Sequence, residues 1–223
     1  LEEILKNHPE MEFVQLQINY YDWESENVQS RKCYEVAQKY GVPVIVMEPV
    51  KGGTLANMTG RPAEILKELS PEASFASYAI RYAASLENVM LVLSGMSDEQ
   101  QLIDNTAYMR EFRPLDERER AAIARVVEEL AAMPTIACTK CRYCVEGCPK
   151  KIRIPDIFGV YNMGVQFGLT DVTRGSYRCQ IDGSGKAGDC IKCGKCEAQC
   201  PQHLEIRKLL EEAADIYEKE MHL

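Results

Sequence analysis

Short apolar runs alternate with helical stretches over roughly the first 133 residues. Phe13–Tyr20 alternates apolar and polar side chains with a period of two, which predicts a strand with one buried face. Val44–Met47 and Val89–Leu93 are uninterrupted apolar runs, typical of strands that are buried on both faces. The helical patterns lie at Leu1–Asn7, Val28–Tyr40, Pro62–Leu69, Ser74–Leu86, Asp98–Met109 and Leu115–Met133. This alternation predicts parallel strands that are joined by right-handed crossovers.

Two α/β architectures compete for this pattern. An open doubly wound sheet needs a glycine-rich turn after its first strand, and no glycine follows Tyr20 closely. A complete β/α barrel has eight strands and needs roughly 200 residues or more, whereas only three strands are predicted here. We therefore predict an α/β fold in residues 1–133, formed by the last three strands and helices of a TIM-type (β/α)8 barrel. Since Leu1 already lies within a helical pattern, we expect the sequence to be a fragment that lacks the earlier part.

A partial barrel has a consequence for association. Three strands leave two open sheet edges, and unpaired backbone groups at such edges favour pairing with another chain. We therefore expect an oligomer, or a second chain that covers these edges.

The sequence changes character after Met133-Pro134, where strand-like runs end and cysteines become frequent. Residues 134–223 are predicted to form a second, mostly α-helical domain. It contains a helix at Ile154–Phe167, a glycine-rich link at Gly183–Gly188 and a closing helix. The apolar stripe of the closing helix consists of Ile206, Leu209, Leu210, Ala213 and Tyr217.

Nine of the ten cysteines lie between Cys138 and Cys200. Eight of them form two runs with the spacing C-x2-C-x2-C-x3-C-P, which is the spacing of bacterial ferredoxins that hold two 4Fe–4S clusters. Three closely spaced thiolates can surround one cluster, while the proline restricts the fourth cysteine and directs it towards the neighbouring cluster. The predicted ligand sets are therefore crossed: Cys138, Cys141, Cys144 and Cys200 for one cluster, and Cys190, Cys193, Cys196 and Cys148 for the other.

Zinc sites and disulfides are the alternatives for these cysteines. Structural zinc commonly uses two CxxC pairs, and the CxxCxxC spacing followed by Cys-Pro does not match that arrangement. A secreted disulfide scaffold would be short and would distribute its cysteines among its loops. Cys179 belongs to neither set and is expected to be a spare thiol, while Cys33 is expected to be a small buried apolar residue on its helix.

Composition excludes several classes of function. The net charge is −8 with no Lys/Arg-rich tract, so we expect no binding to nucleic acid. No apolar run approaches the ~20 residues of a membrane-spanning helix, and no secretory signal is visible. Cysteines in metal-ligand spacing indicate a reducing compartment, so we expect a cytoplasmic location.

Three segments of the first domain resemble the aldo/keto reductases. Phe13–Asp22 resembles the sixth barrel strand of that family, Met47–Leu55 the seventh strand and the loop after it, and Leu93–Asn105 the eighth strand and the following helix start. The second domain, over residues 138–217, resembles the α-helical ferredoxin type of multi-domain redox enzymes. Together these resemblances imply an oxidoreductase that carries iron–sulfur clusters.

The aldo/keto reductase resemblance implies a nicotinamide cofactor, NAD or NADP, at the carboxyl ends of the strands. The implied contact residues are Gln15 at the carboxamide with Gln17 beside it, Glu48 and Val50 near the ring, Gly95, Met96 and Ser97 at the phosphates, and Gln101 and Asn105 at the adenine end. Two features depart from the family pattern. Met47 replaces a ring-stacking aromatic residue, and Gly95 and Gln101 replace the basic residues that often bind a 2′-phosphate, so the choice between NAD and NADP stays open.

The catalytic Asp, Tyr, Lys and His of that family lie on earlier strands, and this sequence contains no catalytic residue at a matching position. His8, His203 and His222 match none of those positions and are expected to be solvated. We expect the parent protein to couple a nicotinamide site, through two 4Fe–4S clusters, to a redox partner protein or one-electron carrier. The alternatives are an electron-transfer and docking module with a non-catalytic scaffold, and clusters with a purely structural role.

Overall fold

The computed structural model describes residues 1–26 and 28–219, so His222 lies outside the described residues. The chain divides into two compact units, Leu1–Ala132 and the segment from Met133 onward. Each unit has its own buried core. Within the described ranges, no helix is both long and apolar enough to cross a membrane.

The first unit contains a parallel sheet of three strands, β1 (Val14–Gln17), β2 (Val44–Met47) and β3 (Val89–Val92), in the order β1-β2-β3. Helices form before, between and after the strands, as the alternating pattern predicted. These helices are α1 (Glu2–Asn7), α2 (Ser30–Lys39), α3 (Gly60–Leu69), α4 (Phe75–Ala84), α5 (Glu99–Arg110) and α6 (Glu117–Ala132).

One face of the sheet forms a hydrophobic cluster in the core of this unit. Val14, Val44 and Val46 are buried there and pack with Tyr34 and Ala37 of α2. This arrangement follows from the period-two pattern, because alternate side chains of a strand point to the same face.

The expectation that β2 and β3 are buried on both faces was wrong. Met47 is 38% exposed, and Met90 and Leu91 are 61% and 48% exposed. Within the described residues β3 pairs only with β2, so it forms an edge of the sheet. A continuous apolar run indicates that a strand is able to lie between two layers, but it does not supply the second layer.

The second unit consists of two similar halves that are offset by 52 positions. Helices α7 (Tyr143–Glu146) and α10 (Lys195–Ala198) begin 52 residues apart, and so do α8 (Ile154–Phe167) and α11 (Ile206–Tyr217). Each half contains one cysteine run, a short helix and a long helix. The buried stripe of α11 includes Ile206, Leu210, Ala213 and Tyr217, which confirms most of the predicted stripe.

A helix that the sequence analysis did not identify, α9 (Asp171–Ile181), connects the two halves. Its Tyr177 is fully buried and stacks on Tyr217, with ring centroids 4.8 Å apart and planes 8° apart. The Tyr177 hydroxyl donates a hydrogen bond to the Glu218 carboxylate and accepts one of 3.1 Å from the backbone N–H of Ala187. These contacts attach α9 to α11 and to the turn before the second cysteine run.

The glycine-rich link before the second run contains one position where only glycine fits. Gly185 forms a bridge with Ile152, and a Cβ atom at position 185 would lie 2.1 Å from the Lys150 carbonyl oxygen. The absent side chain therefore lets the segment before the second run lie directly against the segment after the first run.

Candidate functional site

Each cysteine run adopts the same curled backbone. Lys140 and Arg142 in the first run have positive φ angles of 56° and 68°, and Lys192 and Gly194 at the corresponding positions of the second run have 57° and 77°. Positive φ is unfavourable for residues with a side chain, so its recurrence at equivalent positions indicates a functional constraint. The curl turns backbone N–H groups inward, and Lys140 donates one to the Cys138 sulfur.

The first cavity, as we call it, is lined by four cysteines, Cys138, Cys141, Cys144 and Cys200. Three of these cysteines come from the first run, and Cys200 comes from the second run. The remaining wall is mostly apolar and includes Ile154, Phe158, Leu204 and Ile206.

The second cavity is lined by four other cysteines, Cys148, Cys190, Cys193 and Cys196. Here the first run contributes only Cys148. Apolar side chains again form part of the wall, and Ile154 lines both cavities. The fourth cysteine of each run therefore lies at the cavity of the other run. Cys179 is exposed on α9 and is absent from both linings, and Cys33 is half-buried on α2.

These residues fit iron–sulfur clusters. Four thiols in a cavity with apolar walls are the donor set that such clusters use. Burial raises the pKa of the Cys144 thiol to about 11 and also raises the pKa values of Cys138 and Cys196. Because thiolates are the form that binds metal, iron would have to displace these protons.

Among residues 1–26 and 28–219, no three Cys, His, Asp or Glu side chains converge closely enough to share a single metal ion. The ligands of a four-iron cluster each bind a different iron atom, so they stand farther apart than the ligands of one ion. The arrangement of these cysteines is therefore better described by the cavity linings than by the geometry of a single-ion site.

Accessibility differs along each run in the same way. Cys144 and Cys196, the third cysteines of the two runs, are buried, whereas the second cysteines, Cys141 and Cys193, are exposed. Each cavity thus has a buried side and a side that faces solvent, which would let electrons enter or leave.

Charged pairs flank both cavities. Arg142 donates to both carboxylate oxygens of Asp156 at 3.2 Å and 3.0 Å. Arg207 donates from its guanidinium to Glu197 at 2.8 Å, and its backbone N–H donates to the same carboxylate at 2.9 Å. The hydrogen bond from Arg207 lowers the pKa of the Glu197 carboxyl group.

In the first unit, polar side chains gather beyond the carboxyl ends of β1 and β2. Asn19 is fully buried and donates from its amide to Asp22 at 3.0 Å and to the carbonyl oxygen of Glu48 at 3.1 Å. Lys51 places its ammonium nitrogen 2.7 Å and 2.8 Å from the two carboxylate oxygens of Asp22. Asp22 is therefore the centre of a hydrogen-bonded group that fixes the loop after β2.

The residues expected near the nicotinamide lie around this group. Gln17 donates its amide to Asp22 at 2.9 Å, and Gln15 is exposed and donates to the Met47 sulfur at 3.4 Å. Glu48 is exposed and Val50 is half-buried. Sequence reasoning missed the roles of Asp22 and Lys51; the only local signal was the glycine-containing loop that begins at Lys51.

The residues expected at the phosphate and adenine ends lie together where β3 leads into α5. The backbone N–H of Ser97 donates to the Gln101 side-chain oxygen at 2.8 Å, and the Asn105 amide donates to the Ser94 hydroxyl at 3.0 Å. Gly95 and Met96, in the same loop, are exposed. The Asp98 side chain caps α5 by accepting a hydrogen bond from the backbone of Gln101, and the first turn of α5 faces this loop.

Two histidines lie in the described residues, and both are exposed. His8 contacts Glu10 at 3.0 Å, and His203 occupies the left-handed region with φ of 51°. Neither lines the first or the second cavity.

Comparison with known proteins identifies a family for each part of the chain. The model of the aldo/keto reductase family matches residues 1–128. The model of a 4Fe-4S dicluster domain matches residues 137–205. A search of curated proteins finds no match.

Proposed function

We propose that this chain, which belongs to the aldo/keto reductase family, couples a nicotinamide cofactor to one-electron transfer through two 4Fe–4S clusters. Family membership and the ferredoxin-type domain establish an oxidoreductase domain joined to an iron–sulfur domain in one chain. The number of clusters, their ligands and the nicotinamide site are the parts that we propose.

The observation that carries the proposal is the crossed lining of the two cavities. Eight cysteines from two runs sort into two groups of four, and each group contains one cysteine from the other run. We assign Cys138, Cys141, Cys144 and Cys200 to one cluster and Cys148, Cys190, Cys193 and Cys196 to the other. When bound, each cluster supplies one-electron transfer, so two clusters match the two electrons of one nicotinamide hydride.

The residues of the chain would control access to the clusters. Ile154 lines both cavities and would exclude water between them, while the exposed Cys141 and Cys193 would lie towards solvent. Backbone N–H groups such as that of Lys140 would stabilise the negative charge on the ligand sulfurs.

We further propose that the three strands are the last three of an eight-stranded barrel and that their carboxyl ends bind NAD or NADP. The support is the hydrogen-bonded group after β3, in which Ser97, Gln101 and Asn105 lie close together beside the first turn of α5. A helix N-terminus with free N–H groups stabilises phosphate, and this position agrees with the family resemblance.

The test uses the full-length chain, reconstituted anaerobically with iron and sulfide. We expect about eight iron atoms and eight sulfide ions per chain, broad absorbance near 400 nm, and bleaching of that absorbance when NADH or NADPH is added. Dithionite serves as the control reductant. Clusters that bleach with dithionite and never with either nicotinamide would contradict the coupling.

A second candidate function is an electron-transfer and docking module in which the first unit is a scaffold. One observation favours it: Gln17, expected beside the nicotinamide, donates its amide to Asp22. Saturable quenching of Trp23 fluorescence, or an equivalent binding signal, on addition of NADH or NADPH would exclude the scaffold function. Loaded clusters without any such binding would favour it.

A further inference from the structure

The two cavities differ in their charged surroundings. Among the described residues, Arg142 alone places a cation in the lining of the first cavity, and its guanidinium is bound to both carboxylate oxygens of Asp156. Three cationic residues line the second cavity, namely Lys150, Lys195 and Arg207, and only Arg207 is paired, with Glu197. Within residues 1–26 and 28–219, no carboxylate lies within 4 Å of the Lys150 or Lys195 ammonium.

This difference in nearby cations would favour reduction of a cluster in the second cavity over one in the first. A reduced cluster carries one more negative charge than its oxidised form, so nearby cations stabilise the reduced form. Among the lining residues, more positive charge lies at the second cavity than at the first, so an electron shared between two clusters would reside mainly at the second cavity.

The rim of the second cavity also has the features of a docking surface. Ile191, between Cys190 and Cys193, exposes 57% of its surface. The exposed side chains of Lys150, Lys192 and Lys195 lie on the same two cysteine segments, and Lys192 makes only a solvent-exposed pair with Glu211. An exposed apolar side chain that shares a cavity lining with cationic residues fits a partner with a complementary, negatively charged face.

We infer that the rim of the second cavity, formed by Lys150, Ile191, Lys192 and Lys195, is the docking surface for a one-electron carrier protein with a carboxylate-rich contact face. This inference rests on the proposed electron transfer through two clusters and adds the exit side and the chemistry of the partner. In the transfer, one electron leaves the reduced cluster at the second cavity, which returns to its oxidised state, and the carrier is reduced by one electron.

The net charge of the whole chain and the local charge of the rim predict opposite effects on an acidic partner. At −8, the chain as a whole would repel an acidic partner. Charges beyond about 8 Å are largely screened at physiological ionic strength, so the local rim and not the net charge would decide the docking.

The test uses the loaded full-length chain, reduced by photoreduced deazaflavin, so that nicotinamide binding plays no part. The acceptors are native cytochrome c, which is basic, and fully succinylated cytochrome c, which has the same haem and fold with acidic side chains in place of lysines. We expect the second-order rate constant for the succinylated form to fall as salt is added, and that for the native form to rise.

The variant K150E/K192E/K195E should lower the rate constant for succinylated cytochrome c about tenfold at low ionic strength. The matched control R118E/R125E/R178E changes the net charge equally on exposed helix residues outside both cavity linings, and should stay within about twofold of the parent. Calorimetric titration of the oxidised chain with succinylated cytochrome c should show weaker binding for the rim variant alone.

Equal slowing by both triple variants would overturn the inference, because net charge alone would then account for the effect. Absence of slowing in the rim variant would overturn it as well. The neutral variant K150Q/K192Q/K195Q guards against a folding artefact and should give an intermediate rate with full cluster absorbance. A chain that forms no reducible clusters would refute the proposed function and the docking surface together. Fast electron transfer with a rate constant that the rim substitutions do not change would refute the docking surface alone.

Discussion

Lys51 and Asp22 form a nearly enclosed ion pair, with the ammonium nitrogen 2.7 Å and 2.8 Å from the two carboxylate oxygens. The Asp22 side chain is 4% exposed and the Lys51 side chain 23% exposed. Asp22 also accepts hydrogen bonds from Gln17 and Asn19, so both of its oxygens are satisfied. This pair joins the loop after β1 to the loop after β2, beside the expected nicotinamide site.

Removal of one partner of this pair should be costly. Lys51→Met leaves the Asp22 carboxylate buried without its cation, and we expect the free energy of unfolding of the first unit to fall by about 3 kcal/mol. The double variant Asp22→Asn, Lys51→Met should recover part of that loss, because no unpaired charge remains. Trp23, the only tryptophan of the chain, lies in this unit and reports its unfolding by urea through fluorescence. Additive losses would mean that the two residues act independently.

Crossed ligation can be tested by pairing cysteine substitutions. Cys200→Ala should halve the iron content to about four atoms per chain. Adding Cys141→Ala to it should remove little more iron, because both residues line the first cavity. Adding Cys193→Ala instead should remove nearly all of it. Iron and sulfide analysis of the reconstituted variants provides the measurement.

Ligation within each run would give the reverse result for these two double variants. Cys179→Ala is the matched control, since Cys179 lines neither cavity and should leave the iron content unchanged.

Two helical glycines of the second unit should respond oppositely to alanine. A Cβ atom at Gly164 would lie 2.3 Å from the Tyr217 hydroxyl oxygen, whereas nothing lies within 4 Å of a Cβ atom at Gly175. We expect Gly164→Ala to cost about 1–3 kcal/mol through overpacking, and Gly175→Ala to stabilise by up to about 1 kcal/mol through its helix propensity. Thermal unfolding followed by circular dichroism compares the two.

A second substitution separates steric overlap from other causes. Tyr217→Phe removes the hydroxyl that a new methyl group would meet, so it should restore part of the stability lost by Gly164→Ala. Failure of this rescue would show that the cost at position 164 has another origin.

High pH should destabilise the first unit. Burial raises the pKa values of Tyr20 and Tyr82 above the usual tyrosine value of about 10. The folded state therefore prefers the neutral phenols, and their contribution is present below the unfolded pKa of about 10 and is lost as pH rises above it. Urea unfolding followed by Trp23 fluorescence should show falling stability between about pH 9.5 and pH 11.

The control for this pH dependence is Tyr20→Phe, which removes one buried phenol. Its stability should fall less steeply over the same pH interval. An unchanged slope would show that other groups govern the alkaline transition.

The sequence was most informative where the chemistry is local. Val44–Met47 was predicted as a strand with the bounds that the structure shows, because four consecutive apolar residues follow a helix that ends just before a glycine. The cysteine spacing predicted which thiols gather at each cavity, because ligand spacing and the proline after each run act within a few residues. The assignment of these thiols as cluster ligands stays a prediction.

Contacts between residues far apart in the sequence were harder to predict. Helix α9 was missed because few of its residues are apolar and Tyr177 is its only buried aromatic residue. The exposure of Met90 and Leu91 depends on the position of β3 at a sheet edge, which composition does not reveal. Asp22 and Lys51 lie in two different loops, and no local sequence pattern predicts that they form an ion pair. The offset of 52 positions between the halves was visible in the cysteine numbering and could have predicted the repeated left-handed positions.

The exchange of one cysteine between the two halves affects the order of assembly during synthesis. An emerging chain that has passed Cys148 but not yet Cys190 can offer the first cavity only three of its thiols. The fourth, Cys200, is the last cysteine of the second run, so it leaves the ribosome only after the rest of that run. Under the proposed crossed ligation, cofactor insertion would wait until both cysteine runs have emerged, and a nascent chain would have no complete set of ligands to lose to oxidation.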